Sequence, residues 1–145
     1  MNLVDVNVWL ALVLSKHVHH GAASAWLARV DEPRSLVLCR SVQQSLLRLL
    51  TTEAVLAPYG NRALSNQEAW SVFRELVSDD RVWAAYPEPV GLEGHWEHFG
   101  ARDTCSPKLW MDAYLAAFAF GAGYRLVTTD VAFRQFGGLD VVVLS

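Results

Sequence analysis

Short apolar segments of strand length alternate with longer helical patterns along the whole chain, and this alternation limits the fold more than any other feature. Strands are predicted at residues 3–8 (ending at Asp5), 35–39, 82–84, 125–128 and 139–144. Helices are predicted at residues 8–14, 19–30, 41–52, 65–77, 91–101, 107–120 and 130–136. Such alternation favours an α/β fold, a three-layer α/β/α sandwich with a mostly parallel sheet of about five strands. Residues 1–145 are expected to form one domain.

Two helix starts carry specific signals. Ser65 and Glu68 have the spacing of a capping box, in which the side chain of the first residue accepts a backbone hydrogen bond. Ser106 followed by Pro107 predicts an N-cap and a first helical turn. Apolar spacing within the predicted helices places Trp9, Trp26, Trp70 and Trp110 in the core.

Composition excludes several classes of protein. Apolar residues make up 52% of the chain and charged residues 19%, as in a folded protein with a core. The longest apolar run is interrupted by Asp112, so no membrane span is expected. No basic leader precedes the first apolar run, and we expect a cytoplasmic protein. Cys39 and Cys105 belong to no metal-binding pair, which favours two reduced thiols, although one disulfide remains possible.

Acidic residues follow two of the predicted strands. Asp5 lies in NLVDVN and Asp130 ends LVTTD, while Asp112 lies in the first turns of the helix predicted from Pro107. Parallel strands direct their carboxyl ends to one edge, where ligands of open α/β sheets bind. The helix that carries Asp112 runs antiparallel into the fourth strand, so we expect all three acids at this edge.

Three ionised carboxylates in one cleft need compensation, because like charges raise one another's pKa. An all-oxygen set of ligands favours Mg²⁺ or Mn²⁺, and such ions promote phosphodiester hydrolysis. Each acid also has a structural explanation: Asp130 as a helix N-cap, Asp5 as a turn residue and Asp112 as an acid at the positive end of a helix. Asn7 and Thr128, each two residues from an acid, are expected either to orient a carboxylate or to cap a turn.

The sequence blocks LVDVNVWLAL, LLRLLT, WMDAYLAAFA and LVTTDVAFRQFGGLDVVVL resemble, in this order, PIN domains of the VapC toxin type. The resemblance covers nearly the whole chain. It implies a Mg²⁺- or Mn²⁺-dependent endoribonuclease that is neutralised by a VapB-type antitoxin protein. It also implies a homodimer, with the helices around residues 41–77 as the candidate contact surface. Asp5, Asp112 and Asp130 match the first, third and fourth acidic positions of the family.

This sequence departs from the family pattern at the second acidic position. The corresponding segment contains Gln43, Gln44 and Ser45 and no acid. Glu53 is too far along the helix to substitute, whereas Asp103 is a possible fourth carboxylate. An alternative function is therefore a catalytically weak or inactive PIN-like binding module.

Basic and histidine residues supply the remaining candidates. The net charge of −3 requires RNA to be bound through a local patch, bound cations or a basic partner. Candidate RNA contacts are Lys16, Arg40, Arg48 and Lys108. Two histidine groups could bind zinc, but no third ligand is fixed by spacing, and surface histidines are favoured: His17, His19 and His20, and His95 and His98.

Overall fold

The computed structural model describes the backbone of residues 1–145 and every side chain except that of Ala85. The strands are β1 (Asn2–Val4), β2 (Leu36–Cys39), β3 (Val82–Tyr86), β4 (Arg125–Thr128) and β5 (Val141–Val143). The helices are α1 (Val6–Val13), α2 (His20–Leu27), α3 (Arg40–Leu50), α4 (Glu53–Leu56), α5 (Asn66–Ser78), α6 (Leu92–Gly100) and α7 (Leu109–Ala122). Short 3-10 helices span Ala57–Tyr59 and Val131–Gln135.

The five strands form one sheet in the order β3-β2-β1-β4-β5, and every neighbouring pair is parallel. In the central strand β1, the two adjacent residues Leu3 and Val4, which point to opposite faces of the sheet, are both fully buried, and this explains why both are apolar. The chain leaves β1 towards β2 on one side and returns to β4 on the other. The carboxyl ends of β1 and β4 therefore flank the topological switch point, where open α/β sheets bind ligands.

Helices cover both faces of the sheet, as expected for a three-layer sandwich. On one face α1 packs on α2 and α3, and α3 packs on α5. On the other face α6 packs on α7, which contacts β1 and β4. The connections from β1 through β2 to β3 cross the sheet in one direction, and the connection from β3 back to β4 crosses it in the other. Because crossovers between parallel strands are right-handed, these connections place their helices on opposite faces. The predicted fold class is confirmed.

Two predicted element boundaries are wrong. The first strand does not continue to residue 8, because α1 begins at Val6 directly after Asp5. Helix α7 begins at Leu109, with Lys108 rather than Ser106 as its N-cap. The Ser106 hydroxyl lies 2.8 Å from that of Thr104 and caps no helix. The capping box is confirmed: Ser65 Oγ accepts a hydrogen bond from the backbone N–H of Glu68 at the start of α5.

The structure also tests the expectations about cysteines and membranes. Both cysteines are free thiols, Cys39 buried and Cys105 exposed. None of the helices described here combines the length with the apolar character that crossing a bilayer requires.

Candidate active site at the carboxyl edge of the sheet

Asp5 is a buried carboxylate at the centre of the sheet edge. It follows β1, and its side chain is only 3% exposed. Its backbone N–H bonds the carbonyl oxygen of Val127 at 2.9 Å, which extends the ladder between β1 and β4 by one residue. The next position on β4 is Thr128, whose hydroxyl donates a 2.7 Å hydrogen bond to Oδ2 of Asp5. The first acid is therefore fixed from two adjacent strands.

Asp130 lies on the other side of the switch point, two residues beyond β4. Its backbone N–H donates a 3.0 Å hydrogen bond to Oγ1 of Thr128. Its Oδ1 accepts a 2.8 Å hydrogen bond from the backbone N–H of Ala132 and caps the 3-10 helix that follows. The capping role considered from the sequence is thus confirmed, and it uses one carboxylate oxygen.

Asp112 approaches the same edge from α7. It lies in the first turn of that helix and is half-buried. Burial raises the pKa of the Asp112 carboxyl, and the negative charge of Asp130 raises it further. Helix α7 thus presents Asp112 at the edge where Asp130 lies, and the two carboxylates repel each other when both are ionised.

The electrostatics of Asp5 show the same convergence. Burial raises the pKa of the Asp5 carboxyl from its ordinary 3.8 to about 6. The Thr128 hydrogen bond opposes this rise, and the charges of Asp112 and Asp130 add to it. The charges of the three acids, which come from distant segments of the chain, therefore act on one another.

No basic side chain neutralises these acids in the part of the chain that the structure describes. The ion pairs there join Arg62 to Glu68, Arg81 to Asp79 and Arg125 to Asp140. Three mutually repelling carboxylates with only oxygen ligands match Mg²⁺ or Mn²⁺ in charge and in ligand type. As they lie, no three described His, Cys, Asp or Glu side chains form a group compact enough to hold a metal ion. A cation would have to draw the acids closer together.

Gln43 is the side chain of α3 that takes the place of the missing acid. Of the three candidates for this position, Gln43 is 4% exposed, whereas Gln44 is exposed and Ser45 is half-buried. The Oε1 atom of Gln43 accepts a short hydrogen bond from Nη1 of Arg40, at the start of the same helix. The inward-facing position is therefore occupied by a neutral amide that contacts a guanidinium group.

Asn7 and Asp103 were considered for different roles, Asn7 to orient Asp5 and Asp103 as a possible fourth carboxylate. Asn7 does not share a strand face with Asp5, because α1 has already begun; its amide still lies 3.4 Å from Oδ2 of Asp5, a long hydrogen bond. Asp103 is exposed, and its charge contributes to the pKa shift of neither Asp5 nor Asp112. The structure does not bring Asp103 into the acidic site.

The four candidate RNA contacts divide into two groups. Arg40 begins α3 and Lys108 precedes α7, so both lie at the acidic edge. Lys16 follows the far end of α1, where its Nζ approaches Gly60. Arg48 lies eight residues along α3 from Arg40, about 12 Å away along the helix axis. Lys16 and Arg48 are therefore remote from the three acids.

One carboxylate at this edge was missed by sequence reasoning. Glu88 follows the carboxyl end of β3, and its Oε1 accepts a 2.7 Å hydrogen bond from the hydroxyl of Tyr114 on α7. Burial, then this bond, raises the pKa of the Tyr114 hydroxyl. Its position directly after a strand was the available signal, the same one that identified Asp5 and Asp130.

The remaining candidates do not compete with this site. The histidines belong to no metal-binding group among the described residues. A cavity of about 640 Å³ lies between α1, α2 and α5, lined by Trp9, Leu27 and Leu76 among others. None of the three acids lines it, so the acidic site is an open edge rather than this cavity.

Comparisons with known proteins found matches over most or all of the chain. Residues 3–139 match the PIN domain family. The chain is 52% identical over 145 residues to Ribonuclease VapC41 of Mycobacterium tuberculosis, covering 100% of this chain and 99% of that protein.

Solved structures share the fold at low sequence identity. VapBC2 from Rickettsia felis, bound to a DNA fragment from its promoter, has a TM-score of 0.69 and 11% identity, covering 99% of this chain and 98% of the other. VapC20 of Mycobacterium tuberculosis, a sarcin-ricin loop cleaving toxin, has a TM-score of 0.67 and 18% identity, and the match covers 97% of this chain and 98% of the other.

Proposed function

The chain belongs to the PIN domain family, in its VapC branch, and from that membership we propose that it is a Mg²⁺- or Mn²⁺-dependent endoribonuclease toxin. A full-length relative with 52% identity is named a ribonuclease, which supports RNA as the substrate. The observation that carries the proposal is the convergence of Asp5, Asp112 and Asp130 at the switch point without a neutralising cation.

The residues of the chain have distinct roles in this proposal. The three acids would hold the metal, and a bound divalent ion supplies a water of lowered pKa and stabilises charge that develops on the phosphate. Thr128 fixes Oδ2 of Asp5 and keeps the carboxylate ionised at lower pH than burial alone would allow. Ala132 holds one oxygen of Asp130 through its backbone N–H, and in this proposal the other oxygen would be the metal ligand.

The partner in this proposal is a VapB-type antitoxin. A solved relative of the same fold is a VapBC complex. An antitoxin segment that places a basic side chain near the acids would satisfy their charge and exclude metal or substrate. A homodimer through the face around residues 41–77 completes the proposed assembly.

A cleavage assay with purified protein, Mn²⁺ and a structured RNA tests the enzymatic proposal. We expect cleavage by the parent chain and at least a hundredfold loss in Asp112→Asn, in line with other catalytic groups that act on developing charge. Asp140→Asn is the matched control, because Asp140 pairs with Arg125 at the opposite edge of the sheet. Equal activity in all three proteins would indicate a contaminating nuclease and contradict the proposal.

The alternative function is a PIN-like binding module without catalysis, and one observation favours it. The neutral Gln43 takes an inward-facing position where the family pattern has an acid, which leaves less negative charge to hold metal. RNA binding by the parent chain without cleavage at any Mn²⁺ concentration would support this alternative.

A further inference from the structure

The contact between Arg40 and Gln43 is the part of the acidic edge that the three acids do not explain. Gln43 is 4% exposed, so its amide is held in one place by the packing of α3. Arg40 is exposed, and Nη1 donates to Oε1 of Gln43. A buried amide thus contacts one end of the guanidinium group of an exposed arginine, and a guanidinium group carries further N–H donors.

The position of Arg40 relative to Asp5 follows from the strand register. Leu3 pairs with Val37, so Cys39 lies level with Asp5 on the neighbouring strand, about 4.8 Å away between strands. Arg40 is the next residue. It forms no ion pair with a carboxylate in the described part of the chain. The register and the start of α3 therefore place Arg40 at the acidic edge, and no ion pair there neutralises its charge.

We propose that Arg40, oriented by Gln43, binds a phosphate of the RNA at the acidic edge and takes over a charge-stabilising role that a metal held by a second acid would serve. This inference rests on the proposed function in RNA cleavage. A guanidinium group matches phosphate geometry through two parallel hydrogen bonds and stays charged at all relevant pH values.

The chemistry of position 43 fits this role. A glutamate there would form an ion pair with Arg40 and cancel the charge that attracts phosphate. A glutamine orients the guanidinium through its carbonyl oxygen and leaves that charge intact. The loss of the acid at position 43 and the presence of Arg40 three residues before it are thus two parts of one arrangement.

RNA binding without divalent ions tests this role separately from catalysis. The dissociation constant of an end-labelled single-stranded RNA is measured by fluorescence anisotropy in EDTA at several KCl concentrations. Arg40→Gln should weaken binding about tenfold and reduce the slope of log K against log salt by roughly 0.7, the value for one phosphate contact on a single strand. Arg29→Gln, which removes an exposed arginine near the opposite edge, should change neither quantity.

Variants at position 43 separate orientation from neutralisation. Gln43→Glu should weaken metal-free RNA binding at least as much as Arg40→Gln does, and its effect should be smaller in the Arg40→Gln background than in the parent, because Arg40 is then no longer there to be neutralised. Gln43→Leu, which keeps the packing but loses the acceptor, should weaken binding less and leave the salt slope unchanged. Binding by Arg40→Gln equal to that of the parent would overturn the inference. If the parent chain still cleaved RNA in that case, the proposed function would stand without this inference about Arg40.

Discussion

The hydroxyl of Thr128 donates a 2.7 Å hydrogen bond to Oδ2 of Asp5, although the two residues are 123 positions apart in the chain. The same hydroxyl accepts a hydrogen bond from the backbone N–H of Asp130 at 3.0 Å. One side chain thus links two of the three acids across the switch point of the sheet. Its buried position, with 0% exposure, keeps water from competing for either bond.

Replacement of this hydroxyl should change the pH dependence of the enzyme. The Thr128 hydrogen bond lowers the pKa of Asp5, which burial has raised to about 6. In Thr128→Val the pKa of Asp5 should rise further, so the acidic limb of the pH–activity profile should move to higher pH. The pH dependence of RNA cleavage measures this shift, and Thr129→Val is the control from the neighbouring hydroxyl. An acidic limb at the same pH in both variants would contradict the assigned role of Thr128.

Asp5 should make the metal-free protein less stable as the pH rises. The pKa of the Asp5 carboxyl is 3.8 in its ordinary state and about 6 in the folded chain. Between these two pH values the folded chain therefore binds more protons than the unfolded chain does. The free energy of unfolding must therefore fall through this window. Asp5→Asn removes the effect and should be more stable than the parent above pH 6, by at most about 3 kcal/mol. Urea unfolding in EDTA at several pH values in this window measures the free energy of unfolding of both proteins. If the two free energies changed in parallel with pH, the prediction would be disproved.

A divalent ion should stabilise the folded chain by relieving the repulsion among the acids. At a Mn²⁺ concentration about a hundredfold above its dissociation constant, the stabilisation should be about 2.7 kcal/mol. Thermal unfolding with and without Mn²⁺ measures it. Asp112→Asn should show a smaller shift in Tm, whereas Asp140→Asn should match the parent. Identical shifts in all three proteins would mean that Mn²⁺ binds elsewhere.

The helix that carries Asp112 depends on small residues for its close approach to the sheet. Ala116 is 0% exposed, one turn beyond Asp112 on α7. Ala116→Leu should lower the free energy of unfolding by about 1–3 kcal/mol, because a well-packed core cannot accept the added volume without strain. Urea denaturation measures the loss. Phe120→Leu, at a side chain that is 42% exposed, should change stability by less than half as much, and an equal loss would contradict this packing argument.

Much of the fold was accessible from the sequence because buried parallel strands are short and uninterruptedly apolar. The pattern predicted five strands and the edge to which Asp5 and Asp130 belong. It failed where a helix starts without a distinctive signal, as at Val6 and at Leu109. Helix α4 was also missed, because four residues are too few to show a helical period.

The site was predictable at the level of residues but not of contacts. The carboxylates were identified because each follows a strand or begins a helix at one edge. The hydrogen bond from Thr128 to Asp5 joins two strands, and no local spacing encodes it. The exposure of side chains was harder to predict than their contacts. The helical pattern placed Trp70 and Trp110 in the core, yet they are 42% and 53% exposed. A helical period specifies a face, whereas exposure depends on which neighbour covers that face.

The order of strands in the sheet has a consequence for synthesis of the protein. The central strand β1 is made long before β4, which is one of its two neighbours in the sheet. Until β4 leaves the ribosome, one side of β1 has no strand to pair with, and Asp5 lacks both Thr128 and Asp130. A nascent chain therefore cannot assemble the acidic edge before β4 and Asp130 have been made. The proposed nuclease activity should be absent from the chain until that point in its synthesis.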